Sequence, residues 1–129
     1  MSDDLVRLIV VDELEGAAAT LALMLELDGK QVRTAHDGAQ ALAVIDSFQR
    51  HCMLFDSDMP GIDGLELSKL VRERHDNNTV LIAVTARPPH DSRVAGAFRV
   101  ADHCVNKPVD PRLLRKVLPP LRAASKLTP

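Results

Sequence analysis

Two apolar runs in this chain end on carboxylates. Leu8-Ile9-Val10-Val11 leads directly into Asp12 and Glu13, and Cys52-Met53-Leu54-Phe55 leads into Asp56 and, across one serine, Asp58. Two further runs end on other polar chemistry: Thr85 follows Leu81-Ile82-Ala83-Val84, and Lys107 follows His103-Cys104-Val105-Asn106 and precedes Pro108. Carboxylates gathered without partners repel and hinder one another's ionisation, so such a cluster commonly holds a hard cation. Mg²⁺ suits it, because that ion takes a few carboxylate and carbonyl oxygens and keeps several waters. A hydroxyl and an ammonium beside the same cluster suit a phosphoryl group, whose oxygens need cation, donor and metal together. Taken singly, each residue has a plainer use: an acid caps a helix or sits solvated in a loop, Thr85 caps its own backbone, and Lys107 extends into water.

For these groups to meet, the runs must be strands of one sheet whose C-terminal ends share a rim. Punctuation by Gly, Pro, Asn and Asp separates short aliphatic runs at Val6 to Val11, Gln31 to Ala35, Cys52 to Phe55, Val80 to Val84 and His103 to Val105. Helical patterns lie between and after them, at about 14–28, 39–49, 63–75, 91–100 and 111–118. The first, third and fourth runs are apolar almost throughout, as expected of strands covered by helices on both faces. Five βα units in succession predict an α/β fold with a doubly wound parallel sheet. Ligands bind such sheets at the C-terminal strand ends, where the strand order reverses, and neighbouring first and third strands would put all four carboxylates in one small space. Every strand end except the second offers a polar group of the right type. Asp110-Pro111 predicts a capped start for the last helix, and Pro119-Pro120 predicts its break.

Composition limits the alternatives. The 129 residues carry 16 basic and 18 acidic side chains, a formal net charge of −2. One domain spanning 1–129 is expected, with a core from about 6 to 118 and 119–129 as a tail or the start of a linker. The apolar share of 46% and charged share of 26% exclude a disordered chain. Near-balanced charge argues against direct nucleic-acid binding, and the basic residues between Arg112 and Lys126 read as the wet side of a helix. Three Phe with no Tyr or Trp provide no platform for stacking bases. No apolar run approaches the ~20 residues that cross a bilayer, and the acidic opening Met1-Ser2-Asp3-Asp4 is unlike a secretory signal, so a cytoplasmic location without a membrane partner is expected. Cys52 and Cys104 read as two reduced core thiols.

In chain order, the pieces LIVVDELE, RTAHDGAQAL, LFDSDMPGIDGLEL, AVTA and NKPVDP resemble the receiver domain of two-component response regulators of the chemotaxis-regulator type. The resemblance runs from about Val6 to Leu118, and its second and last pieces look like receivers fused to hybrid histidine kinases. It implies a flavodoxin-like sheet of five strands in the order 2-1-3-4-5, with five helices. It also implies that Asp56 takes a phosphoryl group from a partner's phosphohistidine, forming an acyl phosphate. Glu13 and Asp56 would ligate Mg²⁺ directly, Asp12 would do so through water, and the backbone carbonyl of Asp58 would complete the protein ligands. Lys107 would pair with the phosphoryl oxygens and Thr85 would swing inward to one of them. Pro60, Gly61 and Gly64 would shape the loop behind the nucleophile, and Lys107-Pro108 would be cis. The implied partners are a sensor or hybrid histidine kinase or a phosphotransfer protein, and a downstream protein or a second copy of the chain. Such a module is a phosphoacceptor with self-catalysed transfer and autodephosphorylation, not a turnover enzyme.

Several residues depart from that family's pattern. Glu13 stands where aspartate is usual, and Leu14 stands where a polar side chain often follows. The charge of Asp58 would oppose an anionic phosphodonor, and Arg87 is a candidate to offset it. Cys104 replaces the Tyr or Phe whose ring normally moves with the threonine, which predicts weak coupling or output through another surface. Val100 occupies the place of a helix-ending Gly, and Pro88-Pro89 stiffen the loop after Thr85. A degenerate receiver that binds its partner without phosphorylation is therefore a competing reading. A haloacid-dehalogenase-like phosphatase is another, suggested by Asp56-Ser57-Asp58 and opposed by the position of Asp12 and Glu13 ahead of the nucleophile. A flavodoxin-like nucleotide binder is opposed by Asp12, Glu13 and Glu15, which would repel phosphate.

Overall fold

Alternation along the central strands decides the architecture. The computed structural model describes residues 6–48, 50, 52–57, 59, 64–75, 79–86 and 101–118. Strands β1 (Arg7–Val11), β2 (Gln31–Ala35), β3 (Cys52–Asp56), β4 (Val80–Thr85) and β5 (His103–Asn106) form one parallel sheet in the order β2-β1-β3-β4-β5. Leu8 and Val10, Cys52 and Leu54, and Ile82 and Val84 point to one face; Ile9 and Val11, Met53 and Phe55, and Leu81 and Ala83 point to the other. Each set has its own helices. Ala18 and Leu25 of α1 (Glu15–Leu27) and Leu114 of the last helix (Pro111–Val117) close the first face. Ala41 and Ile45 of α2 (Gly38–Ser47), with Leu67 and Val71 of α3 (Gly64–His75), close the second. Two apolar layers thus grip the sheet, and each large aliphatic chain fully buried there contributes about 1.5–3 kcal/mol. The helical pattern at about 91–100, Val100, Pro88-Pro89 and the tail from 119 lie outside the described residues.

Local chemistry ends the helices where expected. The carboxylate of Asp110 accepts the Arg112 N–H at 2.9 Å with Pro111 at the first helical position, and the helix stops at Val117, ahead of the proline pair. Asp37 caps α2 by accepting the Gln40 N–H at 2.7 Å. Helix α1 starts at Leu14 without a side-chain cap and ends at Gly29, whose φ of 86° suits glycine. Strands β3, β4 and β5 run one residue past the apolar runs, because Asp56, Thr85 and Asn106 continue the ladders as polar terminal residues, while β1 begins at Arg7, one residue after the expected Val6. At the opposite end of the sheet, the Asp102 carboxylate accepts from the Leu81 N–H at 2.8 Å and from Arg72 at 3.0 Å, tying β5, β4 and α3 together.

Both cysteines are free, as expected, but only Cys52 is a core thiol. Cys52 is fully buried, whereas Cys104 on the edge strand is only half-buried against the α2–α3 layer. Burial, with the charge of Asp102 as a smaller cause, pushes the Cys52 thiol far up; burial alone raises Cys104. Iodoacetamide at mildly alkaline pH should therefore modify Cys104 first and reach Cys52 only in denaturant, as peptide mass mapping would show. Equal labelling of both in the folded protein would contradict this packing.

Candidate functional site

The rim of the sheet is built by hydrogen bonds made one residue past each strand. The Asp12 N–H donates to the Ala35 carbonyl at 3.0 Å, Ser57 N–H to Val84 at 2.9 Å, and Lys107 N–H to Thr85 at 2.8 Å. These bonds carry the parallel ladders into the loops, so residues following separate strands emerge side by side. Strand order reverses at β1 and β3, where Val11 pairs with Phe55, and the next residues are Asp12 and Asp56. That is the crevice position at which open α/β sheets take their ligands.

Lys107 ties the two acids together. Its Nζ lies 3.0 Å from Asp12 Oδ2 and 3.2 Å from Asp56 Oδ2, across 95 and 51 positions of sequence. Both carboxylates are nearly enclosed, with side-chain exposures of 9% and 11%. Partial burial works against the Lys107 ammonium, but hydrogen bonds and charge from Asp12 and Asp56 outweigh it and hold its pKa above the ordinary lysine value. Asp12 Oδ1 accepts the Leu14 N–H at 3.0 Å, so both Asp12 oxygens have partners. Thr85 is buried at the end of β4, the strand next to the one carrying Asp56. The Lys107-Pro108 peptide is cis, as expected. A cavity of about 420 Å³ opens beside Asp12, Asp56 and Lys107, with Gly16, Ala17 and Thr20 of α1 along one wall.

The expected four-acid cluster is, among the described residues, a pair. Glu13 is exposed, and Asp58, Arg87, Pro60 and Gly61 lie outside the described residues. No three His, Cys, Asp or Glu side chains among the described residues gather into a metal-holding group. Two enclosed carboxylates nevertheless fit a cation that prefers hard oxygen donors and retains several waters. The hydroxyl of Ser57, directly after Asp56, is buried without a hydrogen-bond partner. Cys104 sits on β5 opposite Ala83, three residues before Lys107.

The residue at the second strand end, which the reading from sequence passed over, lies against the backbone of Asp12. His36 follows Ala35, and its Nδ1 lies 3.4 Å from the Asp12 carbonyl oxygen. The signal was positional: His36 stands one residue past β2, as Asp12 does past β1 and Lys107 past β5.

Comparison with known proteins adds family and fold. Residues 8–119 match the family model described as response regulator receiver domain. The chain is 35% identical over 123 residues to the response regulator MprA of Mycobacterium bovis, covering 95% of this chain and 52% of MprA. It therefore spans about half the length of the curated relatives it matches. Among solved structures, TrrA of Thermotoga maritima in complex with Mg²⁺-BeF superposes with a TM-score of 0.76 at 29% identity, covering 88% of this chain and 96% of that one. The Ssk1 receiver structure of Saccharomyces cerevisiae, crystallised with the histidine phosphotransfer protein Ypd1, matches in fold with a TM-score of 0.78 at 18% identity, covering 88% of this chain and 86% of that one.

Proposed function

This chain belongs to the response regulator receiver family of two-component systems, and from that premise we propose that Asp56 accepts a phosphoryl group from a phosphohistidine on a kinase or phosphotransfer protein. The observation that carries the proposal is the meeting of Asp12, Asp56 and Lys107 at one rim from three separate strand ends. In the transfer, a carboxylate oxygen of Asp56 forms the new bond to phosphorus as the bond from phosphorus to the donor imidazole nitrogen breaks, the ring keeping the electron pair. The cavity beside Asp56 leaves room for the donor group. The Lys107 ammonium, already between the two acids, turns one of its hydrogens to the arriving phosphoryl oxygens, and the Thr85 hydroxyl at the end of β4 supplies a further donor. Positioning and charge neutralisation do most of the work in such a reaction.

Glu13 and Asp56 would hold Mg²⁺ directly and Asp12 through water, with the Asp58 backbone carbonyl as a further ligand. When bound, that ion supplies positive charge against the phosphoryl oxygens. The product is a signalling state, and its effect on a partner requires the phosphoryl group to favour one conformation by a few kcal/mol. With Cys104 in place of an aromatic ring, either the coupling to Thr85 is weak or the output uses another surface.

Incubation with acetyl phosphate and Mg²⁺, followed by intact mass measurement and mapping of the modified peptide, tests the proposal. The expected result is one phosphoryl group per chain, on Asp56, and none when the cation is chelated. A parent protein that gains no mass under these conditions would instead favour a receiver that works by binding alone.

A further inference from the structure

Asp12 is gripped through its backbone from both sides by the end of β2. Its N–H donates to the Ala35 carbonyl at 3.0 Å, and its carbonyl faces His36 Nδ1 at 3.4 Å. A carbonyl oxygen can only accept, so this contact is a hydrogen bond in the tautomer that carries the hydrogen on Nδ1. The histidine is itself anchored. Its backbone N–H donates to Gln40 Oε1 at 2.6 Å, and the Gln40 N–H donates to the capping carboxylate of Asp37 at 2.7 Å, so the first turn of α2 holds the residue in place. On its other side the ring places Nε2 3.8 Å from Glu15 Oε1. The imidazole thus spans the turn from Asp12 to Glu15, between β1 and α1.

The carbonyl that His36 holds belongs to the peptide joining Asp12 to Glu13. That unit is planar, so fixing its oxygen also fixes the direction in which the chain enters Glu13. Glu13 is exposed, so packing does not aim its carboxylate and the backbone must. Its side chain is also one methylene longer than aspartate, with one more torsion to misdirect it.

We infer that His36 is a positioning residue for the cation end of the site, holding the Asp12–Glu13 peptide so that both carboxylates face Asp56. The inference rests on the function proposed above. Loss of a group that orients a metal ligand typically weakens metal binding about 10- to 100-fold.

The test compares His36→Ala and His36→Asn with the parent. Asparagine keeps an N–H donor close to the position of Nδ1. Mg²⁺ affinity is measured by calorimetry on the unphosphorylated protein, alongside the acetyl phosphate labelling rate at saturating Mg²⁺ and the thermal midpoint without cation. For His36→Ala the dissociation constant should rise about tenfold, the low end for such a group, with the saturated rate and thermal midpoint close to the parent's. His36→Asn should recover most of the affinity. If the parent binds Mg²⁺ and takes label but His36→Ala binds the ion equally well, the histidine's role is overturned and the proposed function stands. The role is equally overturned if both variants lose thermal midpoint and affinity together without rescue by asparagine, since that marks a structural residue. A parent that neither binds Mg²⁺ nor takes label overturns the function, and this inference with it.

Discussion

Asp56→Asn is expected to abolish phosphoryl labelling while leaving the fold intact. The amide matches the carboxylate in shape and fits the same enclosed position at the end of β3, but it lacks the anionic oxygen that forms the new bond. Lys107 keeps its 3.0 Å bond to Asp12, so the variant leaves no unpaired ammonium. It also removes one of two like charges from a small space, which offsets the loss of the 3.2 Å bond from Lys107, so the thermal midpoint without cation should stay close to the parent's. The change has a second consequence at high pH. Asp56 contributes both charge and a hydrogen bond to the raised pKa of Lys107. A lysine whose folded pKa lies above its unfolded value adds stability that is complete below the unfolded value and fades as pH rises through the folded one. Without Asp56 the folded value falls toward the unfolded one, so the variant should lose less stability than the parent as pH rises through the lysine range. Intact mass after acetyl phosphate treatment checks the first expectation, and circular dichroism across an alkaline series checks the second. A folded Asp56→Asn protein that still gains a phosphoryl group would place the acceptor elsewhere and end the assignment.

The sheet and the acid pair were legible in the sequence for a definite physical reason. In buried parallel strands both faces are apolar, so Leu8 to Val11, Cys52 to Phe55 and Leu81 to Val84 stand out as uninterrupted runs, and the change to polar residues marks their C-terminal ends. In this topology the strand ends are also where ligands bind, so the residues that punctuate the runs are themselves the site. The Asp110-Pro111 start was readable because capping is a local event. What spacing could not show was the direction of side chains in the turns beyond the strands. Asp12 and Glu13 are adjacent, yet one is enclosed and paired while the other is exposed. His36 reaches a carbonyl 24 residues away, a contact that depends on how two loops lie together. The resemblance marked Gly64 as shaping the loop behind Asp56, but not which backbone and ring atoms a side chain there would strike.

Gly64→Ala should be far more damaging than the same change at Gly16. A Cβ at this first residue of α3 would lie 2.7 Å from the Ser57 Cα, 2.8 Å from the Asp56 carbonyl oxygen and 2.8 Å from Phe55 Cδ2. Two of these are backbone atoms, and the third belongs to a ring fully buried in the α2–α3 layer, so no flexible side chain can yield. Nor can the helix withdraw cheaply. Leu67 and Val71 are fully buried against the sheet, and the buried Ser68 hydroxyl donates to the Gly64 carbonyl at 2.8 Å. Either those contacts loosen or the end of β3 moves, and a cost of about 3 kcal/mol is expected for overpacking against so rigid a wall. Against a typical domain stability of about 5–15 kcal/mol, that is a large share. Gly16→Ala provides the internal control. It adds the same methyl in α1, where nothing lies within 4 Å, and should stabilise by up to about 1 kcal/mol through helix propensity alone. Urea unfolding followed by circular dichroism, which suits a chain without Trp or Tyr, should move the two midpoints in opposite directions. Because the struck carbonyl is that of Asp56, Gly64→Ala should also slow acetyl phosphate labelling under conditions in which the protein remains folded. A Gly64→Ala midpoint equal to the parent's would mean that α3 approaches the end of β3 less closely than the geometry requires.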